Sequence, residues 1–248
     1  MQQFDLTSIR RRLAPLGVLR SAINLGNTLL VSGRDEAGAP TGLAPSVARS
    51  LAARLEIPIA LTPFASPGEI ADRADGDVWD VALIGSEHAR NGSIAFTPPY
   101  ALIEATYLVL AESRLSAISD VDAPGIRVGA PARTAYGLWL ERNLVRATLV
   151  LADGIAAAGN LLARREIEAL AGLRPWLVAD SANFPGGVVL PGRFTAIAQA
   201  VGYRTVGQEV ADFLGSFVEE AKASGLIARL TAQHGVNGVT VAAPASGD

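Results

Sequence analysis

The chain has 248 residues, half of them hydrophobic, enough for one large core or two smaller ones. Its 21 basic and 24 acidic residues leave a net charge of −3. No Lys/Arg cluster extends beyond the short Arg10-Arg11-Arg12 run, so no nucleic-acid partner is expected. Cysteine is absent and the two histidines, His88 and His234, are far apart, which excludes disulfides and thiolate metal sites; neither metal nor cofactor is expected.

In chain order, residues 1–17 read as a leading arm with one short helix. Residues 19–24 (LRSAIN) read as a strand ending in the loop Leu25-Gly26-Asn27; residues 29–32 read as its extension and 34–42 as a turn-rich hairpin tip. Residues 43–56 read as a helix, because Leu43, Val47, Leu51 and Leu55 recur every four residues and Pro45 sits near the start. A strand at 57–62, a short helix at 67–75 and a buried strand at 80–84 follow. This strand–helix alternation is the pattern of a parallel sheet with helices on its faces. The 80–84 strand ends in Gly85-Ser86. Next come a polar segment with Arg90, the run Ile94-Ala95-Phe96-Thr97, a Pro98-Pro99 stop and an apolar strand at 105–110. Such a break suggests a chain leaving one sheet to start another.

The pattern then restarts. Strands are expected at 126–130, 147–151, 167–171 and 188–190, and helices at 134–142, about 153–165 and 173–181, with Thr134 and Asp153 as N-caps. Residues 194–201 alternate and read as a strand crossing back. Helices at 206–223 and 226–234 close the chain, and 236–248 read as a tail. The expected fold class is α/β with two lobes, each a mainly parallel sheet flanked by helices. Residues 1–107 with 197–248 form the first lobe and 108–196 the second, joined by two crossing strands.

No run of 18 apolar residues occurs, so no membrane insertion is expected. After Arg12 the apolar stretch is interrupted by Pro15 and Gly17 and ended by Arg20, a poor hydrophobic region for a signal peptide. None is read in this chain, which leaves a cytoplasmic location open.

Ligands of open α/β sheets sit outside the carboxyl ends of the strands. The loops there are 25–27, 85–90, 131–134 and 172–174, and three of them carry an arginine: Arg90, Arg133 and Arg174. A small anion suits such a site, since charged hydrogen bonds are worth roughly 1.5–3 kcal/mol each. Asn27, Gly85, Ser86 and Thr134 lie on the same loops. Each has a plainer role open to it. Arg174 has Glu168 or Asp180 as salt-bridge partners, Arg133 is a solvated charge, Thr134 an N-cap, and Tyr136 and Trp139 core or lobe-surface residues of one helix. Glu104 is either a polar wall of the site or exposed. Gln199 interrupts an apolar strand and needs ligand or backbone as its partner. His88 reads as exposed and His234 as a C-terminal helix cap.

The residues Leu19-Arg20-Ser21-Ala22-Ile23-Asn24, the 42–55 helix, Trp79-Asp80-Val81-Ala82, Ala89-Arg90, Ile94-Ala95-Phe96-Thr97 with Tyr100, and Tyr107-Leu108-Val109 resemble the polar-amino-acid type of solute-binding proteins. These are extracytoplasmic receptors of ABC importers with the type II periplasmic binding fold. The resemblance covers roughly residues 18–235 and implies a periplasmic monomer that works with an ABC permease. It also implies that Arg90 clamps a ligand carboxylate and that Arg133-Thr134-Ala135 matches a second carboxylate-binding turn. The sequence departs from the pattern at Asn27, where an aromatic usually stands. It departs again at Gly172-Leu173-Arg174, where an aspartate usually binds the α-amino group. An ammonium there would meet Arg174 and be repelled. The expected ligand therefore carries one or two carboxylates, or is another small anion, and lacks a free α-amino group; it is trapped between the lobes by hinge closure. The alternatives are a cytoplasmic ligand sensor or orphan binding domain, and a dehydratase on the same fold, which would need an acid in the site. No enzyme activity is expected.

Overall fold

The computed structural model describes residues 4–87, 94–205 and 207–245. In chain order the elements are α1 (Leu6–Leu13), β1 (Leu19–Asn24), β2 (Gly33–Arg34), β3 (Pro40–Thr41), α2 (Leu43–Arg54), β4 (Ile59–Phe64), α3 (Pro67–Asp72), β5 (Val81–Gly85), β6 (Ala95–Phe96) and β7 (Ala101–Val109). They continue with β8 (Arg127–Pro131), α4 (Ala135–Asn143), β9 (Thr148–Ala152), α5 (Ile155–Ala163), β10 (Ala169–Leu173), α6 (Arg174–Asp180), β11 (Val188–Val189), β12 (Thr195–Tyr203), α7 (Gln208–Ala223), α8 (Leu226–Gln233) and β13 (Val239–Val241). The chain divides into two compact units, Met1–Leu102 with Ala198–Asp248, and Ile103–Ile197. It leaves the first unit within β7 and returns within β12.

In the first unit β1 is the central strand, parallel to β4 on one side and to β5 on the other, and β12 runs antiparallel to β5. Near-continuous apolar runs suit strands covered on both faces. Ala22 of β1 and Ala82 and Ile84 of β5 pack with Ile70, Ala74 and Trp79 on one face. By alternation Leu19, Ser21 and Ile23 turn to the other, where α2 packs on β1. The Trp79 indole N–H donates to the Ile70 carbonyl at 3.2 Å, which satisfies the largest buried side chain. Gly42 caps α2 with φ of 133°, and a Cβ there would lie 2.5 Å from the Leu30 carbonyl, so no other residue fits. Edge strand β4 tolerates Pro63 because, among the described residues, no strand pairs with its outer side.

The second unit holds β8 between β9 and β10, all parallel, with β7 antiparallel to β10 and β11 pairing with β7. Each parallel strand is followed by a helix: α4 after β8, α5 after β9 and α6 after β10. The Asp122 carboxylate accepts the backbone N–H groups of Val145, Arg146 and Ala147, which tethers the start of β9.

Four expectations are corrected. Residues 29–32 form no strand; the Asn27 carbonyl accepts from the N–H groups of Leu30 and Val31, winding this stretch into a turn. Asp153 does not cap α5; Gly154 does, with φ of 90° and no side-chain bond. Residues 236–248 are not wholly a tail: β13 pairs with β7, and the Ala242 N–H reaches the Tyr100 carbonyl at 3.2 Å. Strand β7 begins at Ala101, not 105, because the break made by Pro98 and Pro99 ends before Tyr100.

Asp80 fixes the start of β5 against β1. Its carboxylate is fully buried, accepts the Arg20 N–H at 2.8 Å and pairs with the Arg20 guanidinium at 2.6 Å, while Asp77, the guanidinium's second partner, is 67% exposed. Removing one partner of a buried pair strands the other charge. Asp80→Ala is expected to lower unfolding free energy by about 3 kcal/mol in urea titrations, and Asp77→Ala by less than about 1 kcal/mol.

Candidate functional site

The candidate site residues lie on the loops at the carboxyl ends of the parallel strands, and each unit is described by itself. In the first unit, the loop after β1 is held tightly. Asn24 Oδ1 accepts the Gly26 N–H at 3.0 Å, the Leu25 N–H continues the ladder to the Phe64 carbonyl at 2.9 Å, and a Cβ on Gly26 would stand 2.8 Å from the Ala65 carbonyl. Asn27 follows, half-buried, its backbone opening the next turn. After β5, the Ser86 N–H donates to the Ala198 carbonyl at 2.8 Å, and Gly85 stands opposite Gln199 of β12. Gln199 is buried, and its Oε1 finds no partner among the described residues. The same holds for the Tyr100 hydroxyl, whose residue faces Gln199 through the Tyr100 N–H to Gln199 carbonyl bond of 2.8 Å. Burial pushes the Tyr100 hydroxyl well above its usual pKa.

In the second unit, Thr134 caps α4. Its Oγ1 accepts the Gly137 N–H at 3.1 Å and donates to the Pro131 carbonyl at 2.9 Å, closing the end of β8 onto the first turn. A Cβ on Gly137 would sit 2.6 Å from that carbonyl, so the close turn requires glycine. Arg133 is exposed, with φ of 61°. Tyr136 is buried and Trp139 packs on the same core.

After β10 comes an ion cluster that the sequence did not disclose. Arg174 Nε donates to Glu104 Oε2 at 2.7 Å, its Nη1 to the Leu190 carbonyl at 3.2 Å and its Nη2 to the Gly192 carbonyl. Arg193 Nη1 donates to the other Glu104 oxygen, Oε1, at 3.2 Å. The hydrogen bond from Arg174 holds the Glu104 carboxyl below its usual range, helped by charge from both arginines and opposed by desolvation. Arg174 thus pairs with neither Glu168, which binds Arg127, nor Asp180, which accepts from Asn183. The cause is register. Leu173 of β10 faces Ala105 of antiparallel β7, so the next residue, Arg174 at the start of α6, lands beside Glu104.

Of the expected site residues, Arg90 lies outside the described residues, as does His88. Asn27, Gly85, Ser86 and Gln199 share the carboxyl-end edge of the first unit's sheet; Arg174 and Glu104 meet at the end of β10, and Arg133 and Thr134 follow β8. His234 caps α8, and its Nε2 lies 2.8 Å from Ser46 Oγ. Arg193 was missed. Its signal was the basic residue of a Pro-Gly turn directly before a crossing strand. Among the described residues no group of His, Asp and Glu is arranged to hold a metal ion.

The sequence matches the family model of bacterial extracellular solute-binding proteins, family 3, over residues 28–237. The chain belongs to that family. No curated protein sequence matches it. Among solved structures it is similar to a binding component of an ABC transporter from Wolinella succinogenes DSM 1740, complexed with lysine. That likeness has a TM-score of 0.73 at 19% identity and covers 89% of this chain and 97% of that one. The amino acid ABC transporter substrate-binding protein AbpA from Streptococcus pneumoniae, bound to L-arginine, has a TM-score of 0.71 at 18% identity over 90% of this chain and 96% of that one. An ancestral amino acid-binding protein, AncCDT-1, a precursor of cyclohexadienyl dehydratase, has a TM-score of 0.71 at 19% identity over 92% and 98%. These likenesses show the fold, the type II periplasmic-binding architecture in this family 3 solute-binding protein. No helix among the described residues is long and apolar enough to cross a membrane.

Two outcomes test the local geometry of this family 3 protein. Thr134→Ala is expected to cost about 1 kcal/mol of unfolding free energy, and Thr134→Ser only a fraction of that. Glu104 is more acidic folded than unfolded, so its contribution is complete above the unfolded carboxyl pKa, about 4.3, and is lost as pH falls through the lower folded value. The gap in urea midpoint between the wild type and Glu104→Gln should therefore be widest at neutral pH and close as pH drops below roughly 4.

Proposed function

We propose that this chain is the solute receptor of an ABC importer and takes a small carboxylate-bearing ligand. It acts as an extracytoplasmic monomer that delivers its ligand to the permease. The ligand contacts the strand-end loops of both units and is trapped by movement about β7 and β12, the two strands within which the chain crosses. The observation that carries the anionic reading is the cluster after β10: two guanidinium groups against one carboxylate, a net single positive charge beside the expected ligand edge. The carboxylate clamp implied for Arg90 supports the same reading from the first unit.

The cluster also bears on the ligand's other end. Arg174 is not a bare charge, since Glu104 opposes it; the net charge is still positive, so a ligand ammonium is disfavoured, though less than an isolated arginine would make it. The preferred solute therefore has no free α-amino group. A binding role suits Glu104 better than catalysis. A general acid at neutral pH needs a raised pKa, whereas Arg174 lowers that of Glu104.

Binding to the folded state alone adds RT ln(1 + [L]/Kd), about 2.7 kcal/mol at a hundredfold excess over Kd. Thermal melts across amino acids, monocarboxylates and dicarboxylates are expected to show a rise in Tm with carboxylates that lack an α-amino group. A large rise with an ordinary zwitterionic amino acid, and none with such acids, would reject this ligand class.

A further inference from the structure

The Arg174–Glu104–Arg193 cluster has an internal division of labour. Arg174 engages all three of its side-chain nitrogens: one on Glu104, one on the Leu190 carbonyl and one on the Gly192 carbonyl. It therefore ties β7, the start of α6 and the turn at 190–192 together and has little left to offer a solute. Arg193 is different. Among the described residues its one polar contact is the 3.2 Å bond from Nη1 to Glu104 Oε1, and its side chain is 54% exposed. Its other guanidinium nitrogens have no hydrogen-bond partner among the described residues.

The turn that carries it is well fixed. On one side the Leu190 N–H donates to the Tyr107 carbonyl at 2.9 Å; on the other the Phe194 N–H donates to the Ala105 carbonyl at 3.0 Å. The Phe194 ring packs 4.6 Å from Tyr107 and 5.3 Å from Trp139. A guanidinium mounted on so constrained a backbone loses less freedom when it binds. Its pairing with Glu104 contributes little to stability, being exposed and shared with Arg174, so its charge is not needed to hold the fold.

We propose that Arg193 is a specificity-determining residue of the second unit, binding a carboxylate at one end of a solute that carries two, with Arg174 and Glu104 as positioning residues that mount it. The inference rests on the anionic-ligand reading above. It adds that the second unit reads a further carboxylate and that Arg193, rather than Arg174, reads it.

The test is isothermal titration of the full chain with succinate, glutarate and adipate, and with butyrate, valerate and caproate as matched monoacids. The wild type is expected to bind one diacid roughly tenfold or more tighter than its monoacid, as one charged hydrogen-bonded contact warrants. Arg193→Ala should weaken that diacid roughly 10- to 100-fold, weaken the matched monoacid far less, leave Tm without ligand unchanged, and erase the preference. Arg193→Lys should recover part of the loss, because a point charge replaces a fork. If Arg193→Ala binds the diacid as tightly as the wild type, or if the wild type binds monoacids equally well, Arg193 has no such role and the anionic reading stands. If the wild type takes none of these acids, the anionic reading itself falls and Arg193 falls with it.

Discussion

Strands β7 and β12 carry the constraint on which the remaining structure depends. They run antiparallel, with Tyr100 bonded to Gln199 in the first unit and Phe194 bonded to Ala105 in the second. Strand pairing within each unit determines what it presents at its strand ends. In the first the pairing of β12 with β5 sets Gln199 beside Gly85; in the second the bond from Phe194 to Ala105 puts the turn before β12 next to Glu104. Both strands are buried along most of their length, and a one-residue slip would turn their buried side chains to the opposite face.

Charge in the second unit follows from that pairing. A lone arginine after β10 would be a strong anion site. The structure instead gives Arg174 a carboxylate partner from a neighbouring strand and two backbone carbonyls, which makes it a fastener. The surplus charge moves to Arg193, on a short turn braced by the contacts of the Phe194 ring with Tyr107 and Trp139. In the first unit Asn27, Ser86 and Gln199 stand at the corresponding edge, with the buried Glu87 beside them. Gln199 and Tyr100 are buried there with one polar atom each lacking a partner among the described residues, a state that costs roughly 1–3 kcal/mol per group unless water or another group satisfies it.

Membership of the solute-binding family and the reading of the strand ends rest on separate grounds. The first rests on sequence along most of the chain. The second rests on side chains brought together by pairing across long sequence separations. Where the sequence departs from the family pattern, at Gly172-Leu173-Arg174, the structure shows what occupies the space: the expected acid is absent from that loop, and an acid from β7 stands against Arg174 instead.

The sequence by itself determined the α/β class and the alternation of strands and helices, because hydrophobic periodicity and caps act within a few residues. The Leu43, Val47, Leu51 spacing, the Thr134 cap and the LRSAIN strand are all signals of that range. It also carried the family resemblance and pointed to the loops where polar groups collect. Partner choice was beyond it. Nothing near Arg174 in the chain names Glu104, seventy positions away, and Glu168 and Asp180 were nearer and equally acidic. The strand formed by Val239–Val241 was likewise hidden, since a short segment becomes a strand only when an edge is waiting for it. Only the tertiary structure decided these points, because ion pairs and edge pairing depend on strand register, and register is fixed by the packing of the whole unit.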